Sequence, residues 1–302
     1  VQEVSDTLHI FSYAKLNYTL DILSRRPDGY HNLASVMQVV SLADEIELTR
    51  SPQPGVTLEC DMPGIPTDEN NLAYRAASLV LRAANSNAGI HIALRKRIPP
   101  QAGLGGGSSN AAYILRGVNA WLGLGLSEEQ LHPLAKTLGS DVPFFLVGGT
   151  AVVRGRGEWV RPLPDGPPLW FVVVKPPENI STAWAYAALD ALPERISARA
   201  TRSMEEILQS GSIERVVARM TNDFEQVVLA EHLPIALLHD DLLMARARNA
   251  RLCGSGSAVF GVALSEAEAQ SIARLMRRKY SEVYVCRALT RAESFLLQEG
   301  SV

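Results

Sequence analysis

The stretch "PPQAGLGGGSSNAAYIL" at 99–115 constrains the fold of this chain more than any other. Its three consecutive glycines, 105–107, remove side chains so that the backbone can turn sharply or lie against another group. Apolar residues at helical spacing follow them and predict a helix, with Ser108 or Ser109 placed to cap it. A helix start supplies free N–H groups and the positive end of the macrodipole. Loop and helix together describe a cradle for an anion, most often phosphate. The basic run "LRKRIPP" at 94–100 leads into it, either as a solvated strand end or as a source of positive potential.

Two common phosphate loops are excluded. A Walker A loop requires a lysine that is absent here. The dinucleotide fingerprint fails because "GLGGGS" is out of register and no acidic residue follows about twenty positions later on a second strand.

The chain around the loop mixes strands and helices without regular alternation. "TLHIFSYAKLNYTLDIL" reads as a strand that closes at the turn-like "RRPDGYH". "SVMQVVSLADEIELTR" reads as further strand with a turn at "LADE", and "VTLEC" as a short strand. From Asn71 the period becomes helical, and "GIHIALRKRI" then delivers a strand to the glycine loop. A helix is predicted over 127–138, with Ser127 and Gln130 at capping-box spacing and Gly139 as its stop. "SDVPFFLVGGTAVVRGRGEWVRPL" reads as strand and hairpin around Gly148 and Gly149.

"PLPDGPP" at 162–168 is the natural boundary, giving domains 1–164 and 165–302. Beyond it come the strand "LWFVVVKP", the capped helix "STAWAYAALD" and a long helical stretch that runs through "ARARNA". The strand "SAVFGVAL", an amphipathic helix and the strand "EVYVCRAL" follow. This order predicts two α+β layered domains rather than a doubly wound parallel sheet.

A formal charge of −3 argues against nucleic acid or an anionic membrane surface as a main partner, and no apolar run is long enough to span a bilayer. Cys60, Cys253 and Cys286 are few, odd in number and widely spaced, which fits neither a disulfide framework nor a metal-ligand pattern. A reducing, cytoplasmic setting is expected, since the N-terminal segment carries no secretion signal.

With these segments in view, "PPQAGLGGGSSNAA" resembles the phosphate loop of the GHMP kinase superfamily, named for galactose, homoserine, mevalonate and phosphomevalonate kinases. "AKLNYTLDILSRRPDGYHNL" at 14–33, "LGSDVPFFLVGGTA" at 138–151, "NDFE" at 222–225 and "CGSGSAVFGV" at 253–262 are similar to further motifs, in the family's order. The pairing of "DGYH" with "GSDVPFF" resembles one branch, which acts on cytidine diphosphate methylerythritol. The resemblance implies a two-lobed GHMP-kinase architecture, with an N-terminal ribosomal-protein-S5-domain-2-like lobe and a C-terminal α/β sandwich lobe. It implies ATP and Mg²⁺, phosphoryl transfer to a tertiary hydroxyl, and a monomer or homodimer.

The roles it implies fall on particular residues. Asp141 would accept the hydroxyl proton and Lys15 would orient it and offset charge; on its own, Asp141 also reads as a cap before Pro143. Lysine inside an otherwise apolar strand is uncomfortable unless paired. Pro99, Pro100, Gln101, Ala102, Gly103, Leu104, Gly105, Gly106, Gly107, Ser108 and Ser109 would form the nucleotide loop, their N–H groups around the phosphates. Asn71 and Lys96 would border the nucleotide, although alone they read as a helix cap and a surface charge. Tyr30 and His31 would hold the cytosine, by stacking and by a hydrogen bond to its edge. Asn17 would contact a hydroxyl or phosphate, and Gly254, Ser255 and Gly256 would lie close to the substrate. Trp184 or Tyr186 would complete the base sandwich, unless helix packing buries both. Metal ligands stay unassigned beyond a hydroxyl such as Ser108 and water. Two departures, Tyr13 where relatives carry proline and Tyr18 inside the same motif, are expected to reshape the pocket wall. A kinase of the mevalonate or homoserine type is the first competitor, and it has no need of Tyr30 and His31. A non-catalytic ligand-binding member is the second, and it has no need of Lys15 and Asp141.

Overall fold

The structure, a computed structural model, describes residues 6–295; the first five residues of the N-terminal segment read above lie outside them. It begins with a long antiparallel hairpin, β1 (Thr7–Arg25) and β2 (His31–Ser51). With β3 (Gly55–Cys60), β4 (Gly89–Arg95), β5 (Thr150–Gly155), β6 (Trp159–Pro162) and the two-residue β8 (Thr221–Asn222) these form a seven-stranded sheet. Its main path runs β3-β4-β2-β1-β8, and β5 pairs with β2 and β6.

"LADE" is not a turn. β2 runs through it, and the irregularity is a bulge: Tyr13 pairs with Ala43 and the next residue, Ala14, with Val40. The turn-forming residue is consumed elsewhere, because the buried Asp44 carboxylate accepts the N–H groups of Arg97 (2.7 Å) and Ile98 (2.8 Å). A second bulge leaves Tyr18 unpaired between Asn17 and Thr19. Its ring turns into the core between the lobes, fully buried and 6.1 Å from Phe171, so it does not form the pocket wall expected of it.

Four helices cover the first sheet: α1 (Leu72–Ala83), α2 (Gly106–Trp121), α3 (Glu128–Leu138) and α4 (Val142–Val147). α1 buries Ala73, Ala76, Ala77, Val80 and Leu81 on one face, against Ile46, Leu48, Ile90 and Ile92 of the sheet. α3 has the predicted capping box at Ser127 and Gln130. α4 replaces the strand expected at "SDVPFFLV". Pro143 suits a first helical turn, Phe144 and Phe145 bury in the core, and Gly148 at φ 67 stops the helix. The hairpin is formed instead by β5 and β6, turning between them rather than at Gly148 and Gly149.

After the irregular 163–169 segment comes a four-stranded antiparallel sheet, ordered β11-β7-β10-β9: β7 (Trp170–Lys175), β9 (Ala250–Leu252), β10 (Val259–Ala263) and β11 (Glu282–Arg287). α5 (Thr182–Asp190), α8 (Glu225–Glu231), α9 (Leu233–Met244) and α10 (Glu266–Met276) share a core on one of its faces. α6 (Ala200–Ser210) and α7 (Ile213–Arg219), split at Gly211 (φ 71), pack with Leu16, Tyr18 and Val36 between the two sheets. The long helical stretch expected here ends early, and its "ARNA" end is β9 with its approach.

The architecture is two-lobed α+β, and the lobes are laced together. β8 lies parallel to β1, and a closing turn of helix, Glu293–Phe295, returns to the first lobe, where Tyr113 donates to the Ser294 carbonyl at 2.8 Å.

Candidate active site

The glycine loop lies where the lobes meet. α2 starts at Gly106, with Gly105 (φ 74) as its N-cap and no side-chain cap bond. Ser108 and Ser109 therefore sit in the first turn rather than at the cap. Ser109 is buried and donates through Oγ to the Tyr13 carbonyl at 2.6 Å. An uncapped helix start leaves its first N–H groups directed outward, where a capping hydroxyl would otherwise fill the cradle. Ala102 and Leu104 anchor the loop in the inter-lobe core, so their side chains face away from the cradle. Gly103 (φ 75) touches the second lobe: a Cβ there would fall 1.8 Å from the Cys253 carbonyl oxygen.

Lys15 and Asp141 meet beside this contact. Lys15 Nζ lies 3.8 Å from Asp141 Oδ2 and donates to Asn17 Oδ1 at 2.8 Å. Its side chain is 5% exposed, and Asp141 is 29% exposed, so the carboxylate faces the open side of the pair. Asn17 in turn donates to Ser35 Oγ at 2.8 Å, and the Lys15 N–H donates to the Leu104 carbonyl at 3.0 Å. Strand, loop and lysine are thus tied as one unit.

Lys96 is no surface charge. It forms a buried ion pair with Asp44, beneath the start of α2, and also donates to Asn110 Oδ1 at 3.2 Å. Asn110 donates to Asp44 at 2.9 Å and to Ser12 Oγ at 2.6 Å, which closes the network. Asn71 caps α1, accepting from the Ala73 N–H at 2.9 Å while its amide nitrogen donates to the Pro66 carbonyl at 2.7 Å.

Tyr30 and His31 line a cavity of about 730 Å³ with Arg156, Thr182, Tyr186 and Asp190. Tyr30 is 55% exposed, and the Arg156 guanidinium lies 3.8 Å from its ring centroid. His31 is buried, stacks on Tyr186 at 4.8 Å and 16°, and donates from Nε2 to Asp190 Oδ1 at 2.8 Å. Of the two aromatics offered by α5, Tyr186 faces this cavity; Trp184 packs edge-on against His232 at 4.6 Å in the helical core. Burial pushes the Tyr186 hydroxyl up to about 12, helped by the charge of Asp141 and opposed by Arg195. The Tyr30–His31 cavity and the Lys15–Asp141 pair therefore feel one another's charge.

The second glycine motif is held by "NDFE". Asn222 Nδ2 donates to the Leu252 (2.9 Å) and Gly254 (2.7 Å) carbonyls, and Glu225 accepts from the Leu252 N–H at 2.8 Å. A Cβ on Gly254 would lie 3.4 Å from Lys15 Nζ, while Ser255 Oγ pairs with Thr182 Oγ1 at 2.9 Å and Gly256 packs toward Ile180 and Leu252. Cys253 is a packed side chain whose thiol burial pushes well up.

Sequence reasoning missed Arg156 and Asp190, which sit in a hairpin turn and at a helix end, with nothing local to mark them. Asp44 could have been found, since an acid inside a strand raises the same question as Lys15.

The chain is similar to known proteins over most of its length. Residues 71–149 match the family model described as GHMP kinases N terminal domain. A 4-diphosphocytidyl-2-C-methyl-D-erythritol kinase of Geobacter metallireducens is 44% identical, with 86% of this chain and 91% of that protein aligned. One of the same name from Moorella thermoacetica is 41% identical over 94% of this chain and all of its own length. A crystal structure of 4-(cytidine 5'-diphospho)-2C-methyl-D-erythritol kinase superposes with a TM-score of 0.81 at 34% identity, covering 93% of this chain and 99% of that one.

Proposed function

The chain belongs to the 4-diphosphocytidyl-2-C-methyl-D-erythritol kinase family of GHMP kinases, and from that premise we propose the reaction in detail. It transfers the γ-phosphoryl group of ATP to the C2 hydroxyl of 4-diphosphocytidyl-2-C-methyl-D-erythritol, giving the 2-phosphate and ADP, in the non-mevalonate route to isoprenoid precursors. The observation that carries the residue roles is the Lys15–Asp141 pair at 3.8 Å, set where both glycine turns converge.

A tertiary hydroxyl is a poor nucleophile, and phosphoryl transfer depends on positioning and charge stabilisation. Asp141 accepts the C2 hydroxyl proton as the new bond forms. Lys15, fixed by Asn17, holds that carboxylate in place and offsets negative charge on the entering oxygen. The uncapped N–H groups of Gly106, Gly107 and Ser108, with the α2 dipole, take the nucleotide phosphates. Among the described residues no three His, Cys, Asp or Glu side chains gather as a metal cage. The Ser108 hydroxyl, water and phosphate oxygens are therefore the donor set that fits magnesium, and the bound ion would neutralise phosphate charge. Tyr30 and Tyr186 offer flat faces to the cytosine, and His31 offers its edge a polar partner. The 1–164 and 165–302 segments act as the nucleotide and closing lobes of a monomer or homodimer in the cytoplasm.

The test is ATP turnover with Mg²⁺ on the cytidylyl substrate, mevalonate and homoserine, with Asp141→Asn alongside. Turnover of the cytidylyl substrate alone is expected, with kcat lowered about 10²–10⁴-fold in the variant and KM little changed. Phosphorylation of mevalonate or homoserine instead would refute the substrate, and an active Asp141→Asn would refute the base.

A further inference from the structure

Along the β1–β2 hairpin, lined by residues of both strands, lies a larger cavity of about 960 Å³. It is lined by Asp21, Leu23, Leu33, Arg154, Arg195, Arg199 and Arg202. Nothing in the phosphoryl-transfer scheme uses these residues.

The segment that brings three of these arginines is built into place. The buried Asp21 carboxylate accepts the N–H groups of Ala200 and Thr201, both at 2.9 Å. Asp223 accepts from Ala198 at 3.3 Å and from Ile22 of β1 at 2.8 Å. Arg195 donates to the Leu23 carbonyl at 2.7 Å. Arg199, held at φ 43, makes no hydrogen bond or ion pair among the described residues.

Four arginines line the cavity against one carboxylate, Asp21, whose two oxygens accept the Ala200 and Thr201 N–H groups, and the other acids nearby are shared or distant. Arg154 shares Glu205 with Arg161, and Arg202 reaches only Glu206, at 3.8 Å. Arg195 lies 3.9 Å from Asp190, whose carboxylate is already engaged by His31. An unpaired guanidinium beside a half-neutralised pair favours an anion that accepts several N–H donors at once, which is phosphate chemistry. The half-buried Leu23 and Leu33 in the lining favour an apolar body attached to it.

We propose that this cavity is a second anion site, distinct from the glycine loop and the base cavity. It takes an organic phosphate or diphosphate, with the head on the arginines and the apolar body on Leu23 and Leu33. Because Arg195 touches both this cavity and Asp190, an anion that draws Arg195 competes with the contact beside His31. Occupancy is therefore linked to the base cavity, and the linkage is reciprocal. The site itself is independent of the kinase reading; the linkage rests on it.

The test is calorimetric binding of pentyl diphosphate to the full chain with saturating ADP, so that the glycine loop is occupied. Binding is expected to persist under ADP, to be several-fold tighter than for inorganic pyrophosphate, and to weaken at least tenfold in the Arg199→Ala/Arg202→Ala double variant. That variant should keep its ADP affinity and its kcat without pentyl diphosphate, since both side chains lie at the exposed rim. Loss of binding on adding ADP would place the anion in the glycine loop and overturn the proposal. Equal affinity for pyrophosphate would overturn the apolar half, and unchanged affinity in the double variant would overturn the site. If pentyl diphosphate binds yet leaves KM for the cytidylyl substrate unchanged, the linkage fails while the site stands.

Discussion

Replacing Gly103 by alanine should damage this protein in two measurable ways. The new Cβ would fall 1.8 Å from the Cys253 carbonyl oxygen and 2.6 Å from its carbonyl carbon. Both are backbone atoms, so no side chain can swing aside. To reach an ordinary contact near 3.4 Å the two turns must part by about 1.6 Å. The backbone adds its own penalty, because φ is 75 at this position. A left-handed conformation costs a Cβ-bearing residue about 1–2 kcal/mol, and forced overpacking about 1–3 kcal/mol. Together these predict a loss of roughly 2–5 kcal/mol and a melting temperature lower by roughly 3–8 °C. Parting the turns also moves the second-lobe glycine turn relative to the loop and Lys15, and a displacement near 1 Å costs about 10²-fold in rate. Gly107→Ala is the internal control. It lies in the first turn of α2, the nearest atom to its new Cβ is 3.7 Å away, and stability should hold or rise by about 0.5–1 kcal/mol. Thermal unfolding of both variants and steady-state kinetics of Gly103→Ala decide it. A Gly103→Ala protein with wild-type melting and kcat within about threefold of wild type would refute the close approach of the lobes.

Asp44→Asn strands Lys96 in the core, and a buried ion pair broken on one side costs about 3–5 kcal/mol; a urea midpoint that implies less than about 1 kcal/mol would show that the pair is not buried in solution. Tyr18→Phe removes a buried hydroxyl that has no hydrogen-bond partner, so stability should rise by about 1 kcal/mol, read as a higher melting temperature. Arg287 beside Glu293, with the N–H and hydroxyl of Thr290, holds the Glu293 carboxyl down at about 2. The folded value lies below the unfolded one of about 4.3, so this stabilisation is full above about pH 5 and fades as pH falls towards 2. The pair is partly open to solvent, with the Glu293 side chain 33% and the Arg287 side chain 42% exposed, and screening limits its worth to under about 1 kcal/mol. The melting gap between wild type and Glu293→Gln should shrink from pH 7 to pH 3.5, and a constant gap would refute the pairing.

What the sequence determined by itself was local. The glycine loop, the capped starts of α1, α3 and α5, and most strands follow from backbone preference and periodicity over a few residues, and those are legible in one dimension. The motifs also placed Lys15, Asp141, Tyr30 and His31 among the residues to watch. Tertiary structure decided where those preferences gave way. "LADE" became a bulge because Asp44 is needed as an acceptor for another strand, and "VPFFLV" became a helix because two phenylalanines had a core to fill. The uncapped start of α2 shifted from the serines to Gly105 because Ser109 is spent on Tyr13. Only folding could bring Lys15 to Asp141, His31 to Asp190 and Tyr186, and four arginines around one cavity. These contacts join residues far apart in the chain, and their distances depend on strand register and bulges that no local pattern encodes.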